Sequence, residues 1–201
     1  MEKETIQVEI PAGKKAAWVD GFLKLVDTEE EQKKDERPIT ERVKTFEDAC
    51  NELGEDHKLV QQFKAIKTAI AEDKEATAYF KLGIITAALN EGWKPDFTND
   101  EEYRYYPWLC LWTNEELEQK TDAWKDERNL QLWIGGGCSY AGANCGLAYA
   151  TSNGAWSYAN ASISARLAHK TEELAIYSGK QFTELWANYT TGKEVTSWRN
   201  S

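Results

Sequence analysis

The stretch from Asn129 to Ala165, NLQLWIGGGCSYAGANCGLAYATSNGAWSYANASISA, holds no charged residue, although 29% of the 201-residue chain is charged. It is not a membrane span. A spanning helix needs about 20 mainly apolar residues in succession, and Gly, Ser, Asn and Thr interrupt this stretch throughout. Nor does it have the large aliphatic side chains of an ordinary core. Small residues alternate instead with Tyr, Trp, Asn and Ser, as in antibody-like contact surfaces, where rigid rings supply area and small polar groups supply adaptable hydrogen bonds. The expectation is a recognition surface carried on a folded scaffold.

The rest of the chain has the means to build that scaffold. Hydrophobic residues make up 41% and aromatic residues 12%, enough for a core of one domain with an appendage. The net charge of -10 is uneven: residues 166–201 carry +1 and residues 1–128 carry -11. An acidic front argues against nonspecific nucleic-acid binding, which needs basic clusters on phosphates. Solubility is the plain reason for the acidity, and a nucleic-acid mimic is the alternative. The beginning of the chain lacks the pattern of a secretory signal and no stretch reads as a membrane helix. The expected location is therefore the cell interior or a particle assembled there. The four cysteines (Cys50, Cys110, Cys138 and Cys145) form no CxxC pair and there are two histidines, so neither a metal site nor a cofactor is expected, and the thiols are read as reduced.

Period-two alternation in Thr5–Ile10, followed by Ala16–Val19 and Phe22–Val26 around Asp20-Gly21, predicts a β-hairpin appendage over residues 1–26. Residues 27–38, DTEEEQKKDERP, read as a charged linker. Residues 39–92 read as a helical layer. Its signals are a capping box at Thr45–Asp48 before a Gly54 stop, a helix from about Asp56 through Ile70, and a helix from about Lys74 to Asn90 burying Ala78, Leu82, Ile85 and Leu89. Residues 93–201 read as an α+β ligand-binding domain. Strands are expected at Tyr103–Leu111, Leu130–Ile134, Cys145–Thr151 and Ser162–Ala168, a short helix at Glu115–Trp124, and a closing C-terminal helix over Thr171–Tyr189. The aromatic belt (Trp93, Phe97, Tyr103, Tyr105, Tyr106, Trp108 and Trp112) is read as mainly core, with a ligand platform as the alternative.

Catalytic motifs are weak. Gly135-Gly136-Gly137 fits no phosphate-loop spacing. Ser139 and His169 lack the third member of a triad, and His169 reads as a surface or partly packed histidine.

Four segments carry a resemblance: KTFEDACNELG (Lys44–Gly54), ALNEGWKPDF (Ala88–Phe97), YRYYPWL (Tyr103–Leu109) and ARLAHKTEELAIYSGKQFTELW (Ala165–Trp186). Together they resemble a family of proteins from gut Bacteroidetes and their crAss-like phages. That resemblance implies a phage or prophage origin and no particular activity. The middle segment also resembles the variable regions of retroelement-diversified proteins, in which asparagine codons mutate to Ser, Tyr, Ala, Thr, Gly, Asp or Cys. Ser139, Tyr140, Ala143, Asn144, Cys145, Tyr149, Ser152, Asn153, Ser157, Tyr158, Asn160 and Ser162 fit that set. This likeness implies a C-type-lectin-like fold that presents its variable residues on one face. The expected function is non-enzymatic ligand or receptor binding, with a protein or glycan partner, no nucleic acid and no membrane insertion. A homo-oligomer is compatible with the sequence. The expected ligand-binding residues are Tyr140, Asn144, Tyr149, Ser152, Asn153, Trp156, Tyr158 and Asn160. The alternative is an intracellular phage factor that sequesters a host protein or small molecule.

Overall fold

A computed structural model describes residues 9–11, 14–19, 22–27, 35–99, 101–134, 146–155 and 165–200. The chain is α+β and divides into two compact units, Met1–Arg37 and Pro38–Ser201. In the first, β1 (Lys14–Val19) pairs antiparallel with β2 (Phe22–Asp27), Val19 opposite Phe22 and Lys14 opposite Asp27. Residues 5–8 and the Asp20-Gly21 dipeptide lie outside the described residues.

The second unit opens with α1 (Ile39–Arg42) and α2 (Phe46–Leu53). Helix α2 starts where the sequence places it. The Thr45 hydroxyl accepts the Asp48 N–H at 3.0 Å and the Asp48 carboxylate accepts the Thr45 N–H at 2.9 Å, so two otherwise orphaned donors are satisfied reciprocally. The helix stops at Gly54, whose φ of 83° suits a residue without Cβ. Helix α3 spans Lys58–Ile66 and ends four residues before the expected limit. Two tight turns intervene, with Ala69 N–H bonded to the Ile66 carbonyl and Asp73 N–H to the Ile70 carbonyl. They bring Asp73 into place to cap α4 (Lys74–Leu89), its carboxylate accepting the Ala76 N–H at 2.8 Å.

Helix α4 is the centre of the core. Leu82, Ile84, Ile85, Ala88 and Leu89 are buried together with Val43, Ala49, Val60 and Phe63 from the preceding segment and with Leu174, Phe182 and Trp186 from late in the chain. Each fully buried aliphatic or aromatic side chain contributes about 1.5–3 kcal/mol, so one helix flanked on several sides by such residues organises the unit.

Around it lie β3 (Arg104–Trp112), α5 (Asn114–Glu118), α6 (Asp122–Glu127), β4 (Gln131–Trp133), β5 (Gly146–Ala155), α7 (Glu172–Gln181), α8 (Thr183–Thr191) and β6 (Val195–Ser197). The four strands form one antiparallel sheet in the order β3-β5-β4-β6. Leu109, Trp133 and Val195 pack with Ala187 of α8, whereas Trp112 and Leu132 pack with Leu117, Trp124 and Trp198. One end of the sheet is therefore covered by α8 on one face and by the α5–α6 pair on the other.

Four expectations are corrected. The closing helix is two helices: Phe182 leaves helical geometry at φ -116°, ψ 33°. Its side chain is in the core and the Thr183 hydroxyl takes the Gly179 carbonyl at 2.6 Å. Nor does a helix close the domain, because β6 follows and joins the sheet edge. The expected helix at Glu115–Trp124 is also split, since the Thr121 hydroxyl accepts the Trp124 N–H and starts α6 afresh. Ala165–Leu167 is a 3-10 turn rather than a strand, and His169 alone makes a bridge, to Tyr105. Among the described residues no helix is long and apolar enough to cross a membrane.

Candidate functional site

The uncharged segment is held at both ends by asparagine side chains. At its start Asn129 adopts φ 46°, a left-handed geometry that Asn tolerates better than most residues. There its carboxamide donates to the Lys180 carbonyl at 2.9 Å, near the C-terminus of α7, and accepts from the Gln131 side chain at 3.0 Å. The helix end thereby gains a partner for a carbonyl that has none within the helix.

At the other end Asn90, at the C-terminus of α4, is 4% exposed. Its carboxamide donates to the Ala168 carbonyl at 2.8 Å and accepts the Lys170 N–H at 3.0 Å, the pairing a neighbouring strand would give. His169 between them exchanges backbone hydrogen bonds with Tyr105, at 2.9 and 3.1 Å. Arg166 lies along α4 over the rings of Tyr79 and Phe80, 5.6 and 5.9 Å from their centroids. It passes so close that a Cβ on Gly83 would fall 2.8 Å from its Cδ.

Between the anchors runs β5, the inner strand joined to β3 on one side and β4 on the other. Tyr149 stands opposite Leu109, Ser152 opposite Pro107 and Asn153 opposite Tyr106. The register shifts between Trp108 and Leu109, which leaves Ala150 as the extra residue of a bulge. Pro107 fits because Tyr105 spends its N–H and C=O on His169. Alternate residues of this part of β3 thus turn their backbone groups to the outer edge, where a missing N–H breaks no ladder bond.

Of the eight expected ligand residues, Tyr149, Ser152 and Asn153 belong to this strand. Tyr140 and Asn144 fall in residues 135–145, and Trp156, Tyr158 and Asn160 in residues 156–164, outside the described residues. Their points of attachment are nevertheless fixed. Residues 135–145 join β5 at Gly146, opposite Trp112 and Leu132, whereas residues 156–164 leave from Ala155, opposite Arg104. A strand of this length separates those points by about 30 Å at roughly 3.3 Å per residue.

The Ala155 end adjoins buried polar chemistry that the sequence left unremarked. Arg104 is 1% exposed. It donates to the Asp96 carbonyl at 2.7 Å, stands 3.6 Å from the Glu102 carboxylate and stacks 4.4 Å from the centroid of Phe97. Among the described residues its Nε and Nη1 have no hydrogen-bond partner, nor has the Tyr106 hydroxyl two residues on. Burial pushes the Tyr106 hydroxyl up to about 12, opposed by the Arg104 charge. His169 is sealed in the core with neither ring nitrogen in a well-formed hydrogen bond. Burial lowers its pKa to about 4, against the weaker pull of the Tyr105 and Leu167 backbone, so the ring is neutral at pH 7. This corrects the reading of a surface or partly packed histidine, since the ring is fully buried. A ring with no exposed atom does not reach a substrate, and its place is structural.

The aromatic belt is core only in part, Trp112 packing against Leu117 and Leu130. Tyr103 and Trp108 are 42% and 54% exposed, Phe97 is exposed, and Trp93, Tyr105, Tyr106 and Trp112 are half-buried. Further along the same half of the chain, tryptophans and cations interleave. Lys120 sits 4.9 Å from the Trp112 ring, Arg128 4.9 Å from Trp124, and Lys125 and Arg199 5.1 and 4.7 Å from Trp198. Each such contact is worth about 0.5–1 kcal/mol where exposed. Beside Trp198 a groove of about 190 Å³ opens between α5, α6 and β4. Among the described residues no cluster of three or more His, Cys, Asp or Glu side chains is arranged to hold a metal ion, and Cys50 and Cys110 are free thiols.

Comparison of the chain with protein-family models, with curated proteins and with solved structures finds no match.

Proposed function

We propose that this is a non-enzymatic binding protein of phage or prophage origin that recognises a protein or glycan through the uncharged segment Asn129–Ala165. The observation that carries the reading is the double clasp. Asn129 is fastened to α7 and the Ala168–Lys170 backbone is fastened to Asn90 and Tyr105. At the second end the fastening groups, Asn90, Tyr105 and the Ala168–Lys170 backbone, lie outside the segment. A rigid frame around rings and small amides is the arrangement in which contact residues lose least entropy on binding. The C-type-lectin-like character of residues 93–201, and diversification of the segment, belong to the same proposal. An antiparallel sheet that takes in part of an uncharged, Tyr-, Asn- and Ser-rich stretch supports it.

The test is binding of the purified chain to immobilised glycans and purified surface proteins, repeated with Tyr140→Ser, Tyr158→Ser and Asn160→Ala combined. The reading expects a partner whose affinity falls at least about tenfold in the combined variant, the equivalent of about 1.4 kcal/mol. A partner bound equally well by the variant would overturn it.

A further inference from the structure

The groove beside Trp198 has a chemistry of its own. Its apolar lining is Leu117, Leu130 and Leu132, and its remaining lining residues are Asn114, Glu118, Lys125 and Trp198. Leu117 and Leu130 are buried, at 7% and 1% exposure. Lys125 is held half-buried, its side chain 19% exposed, over the Trp198 ring. Its ion pair with Asp122 spans 3.9 Å, the outer limit of such contacts. Glu118 makes no ion pair with Lys125, and neither Glu118 nor Asn114 has a hydrogen-bond or ion-pair partner among the described residues. One cationic residue, 3.9 Å from Asp122, and one acidic residue therefore line the same apolar groove without pairing with each other.

That combination selects its occupant. A simple anion meets Glu118 and a simple cation meets Lys125, each at a like charge. A saccharide would lay hydroxyls against three leucines that return no hydrogen bond, and the Trp198 ring already carries Lys125 and Arg199. A molecule with an apolar body and one charge of each sign satisfies every wall. The volume, about 190 Å³, lies below the roughly 300–1,000 Å³ of sites for larger ligands. It suits one residue-sized molecule.

We infer that the groove formed by Leu117, Leu130, Leu132, Glu118, Lys125 and Trp198 binds a free apolar α-amino acid as its zwitterion, with the carboxylate on Lys125 and the ammonium on Glu118. This site uses no residue of 135–164 and stands apart from the recognition reading above. A peptide terminus presents one of the two charges and fills half of the specification.

The experiment is a titration of the isotope-labelled full chain, followed through its backbone amide signals, with L-leucine, L-leucinamide, N-acetyl-L-leucine and methyl glucoside. L-leucine is expected to shift the amides of Leu117, Leu130 and Leu132 with a Kd of about 1–10 mM. The two blocked analogues are each expected to bind at least about tenfold more weakly. Lys125→Gln is expected to erase the preference for leucine over leucinamide, and Glu118→Gln the preference over N-acetylleucine. The analogue series on the unmodified chain decides the matter even if a variant misfolds. Absence of leucine-dependent shifts, equal binding of the blocked analogues, or glucoside in place of leucine at the same amides would each overturn the assignment.

Discussion

The carboxamide of Asn90 donates to the carbonyl oxygen of Ala168 at 2.8 Å from the last turn of α4. With its other arm on the Lys170 N–H, it ties the most buried helix of the protein to the residue that returns the chain to the sheet. Asn90→Ala leaves a buried carbonyl and a partly buried N–H unpaired, each costing about 1–3 kcal/mol. The expected loss of stability is about 2–4 kcal/mol, read as a lower urea midpoint with an unchanged slope. A loss below about 1 kcal/mol would show that the clasp contributes little.

Asn129 tests the other end. Asn129→Gly removes the carboxamide but suits φ 46°, whereas Asn129→Ala removes the carboxamide and strains the backbone. The alanine variant is expected to be the less stable of the two by about 1 kcal/mol, measured by urea unfolding. The reverse order would show that the left-handed geometry is not maintained.

His169 predicts a pH dependence. Its pKa is lowered from 6.5 to about 4 by burial, so the unfolded chain takes up a proton at a pH where the folded chain does not. Its contribution is complete above about pH 6.5 and is lost as the pH falls towards 4. The total approaches about 3 kcal/mol at 1.36 kcal/mol per pKa unit. Unfolding free energies measured between pH 7 and 4.5 should fall accordingly, and His169→Phe should flatten the slope in that window. A wild-type profile already flat there would mean that the ring finds partners when charged.

Gly83 should resist improvement. Alanine in a helix interior normally gains up to about 1 kcal/mol over glycine. Here the new methyl would meet Arg166 Cδ at 2.8 Å and push the side chain off Tyr79 and Phe80. Gly83→Ala is expected to leave the melting temperature unchanged or lower it. A rise of several degrees would show Arg166 free to move at no cost.

The helical half was legible from local signals. The Thr45–Asp48 box and Gly54 stop bound α2, and Ala78, Leu82, Ile85 and Leu89 are all buried as their spacing predicts. Features set by distant partners were not legible. The break at Phe182 depends on where that ring finds its pocket, and β6 is three residues long and exists because β4 lies beside it. The burial of His169 follows from its bridge to Tyr105, far away in the chain. At the site, the absence of charge was plain from composition. That β5 is an inner strand, with residues 135–145 and 156–164 attached at opposite ends, follows from pairing with β3 and β4 and has no local signature. The Trp–cation surface was missed because Lys120, Lys125, Arg128 and Arg199 read as ordinary solvated charges until their rings are placed.

The most direct measurement is thermal unfolding of the chain carrying Tyr140→Ser, Asn144→Ala, Trp156→Ser, Tyr158→Ser and Asn160→Ala together. If these side chains serve recognition and the asparagine clasps hold the frame, the Tm should stay within about 3 °C of the unmodified chain, less than about 1 kcal/mol for a protein of this size. A drop beyond about 10 °C, or loss of a cooperative transition, would show that the segment is core and contradict the binding role.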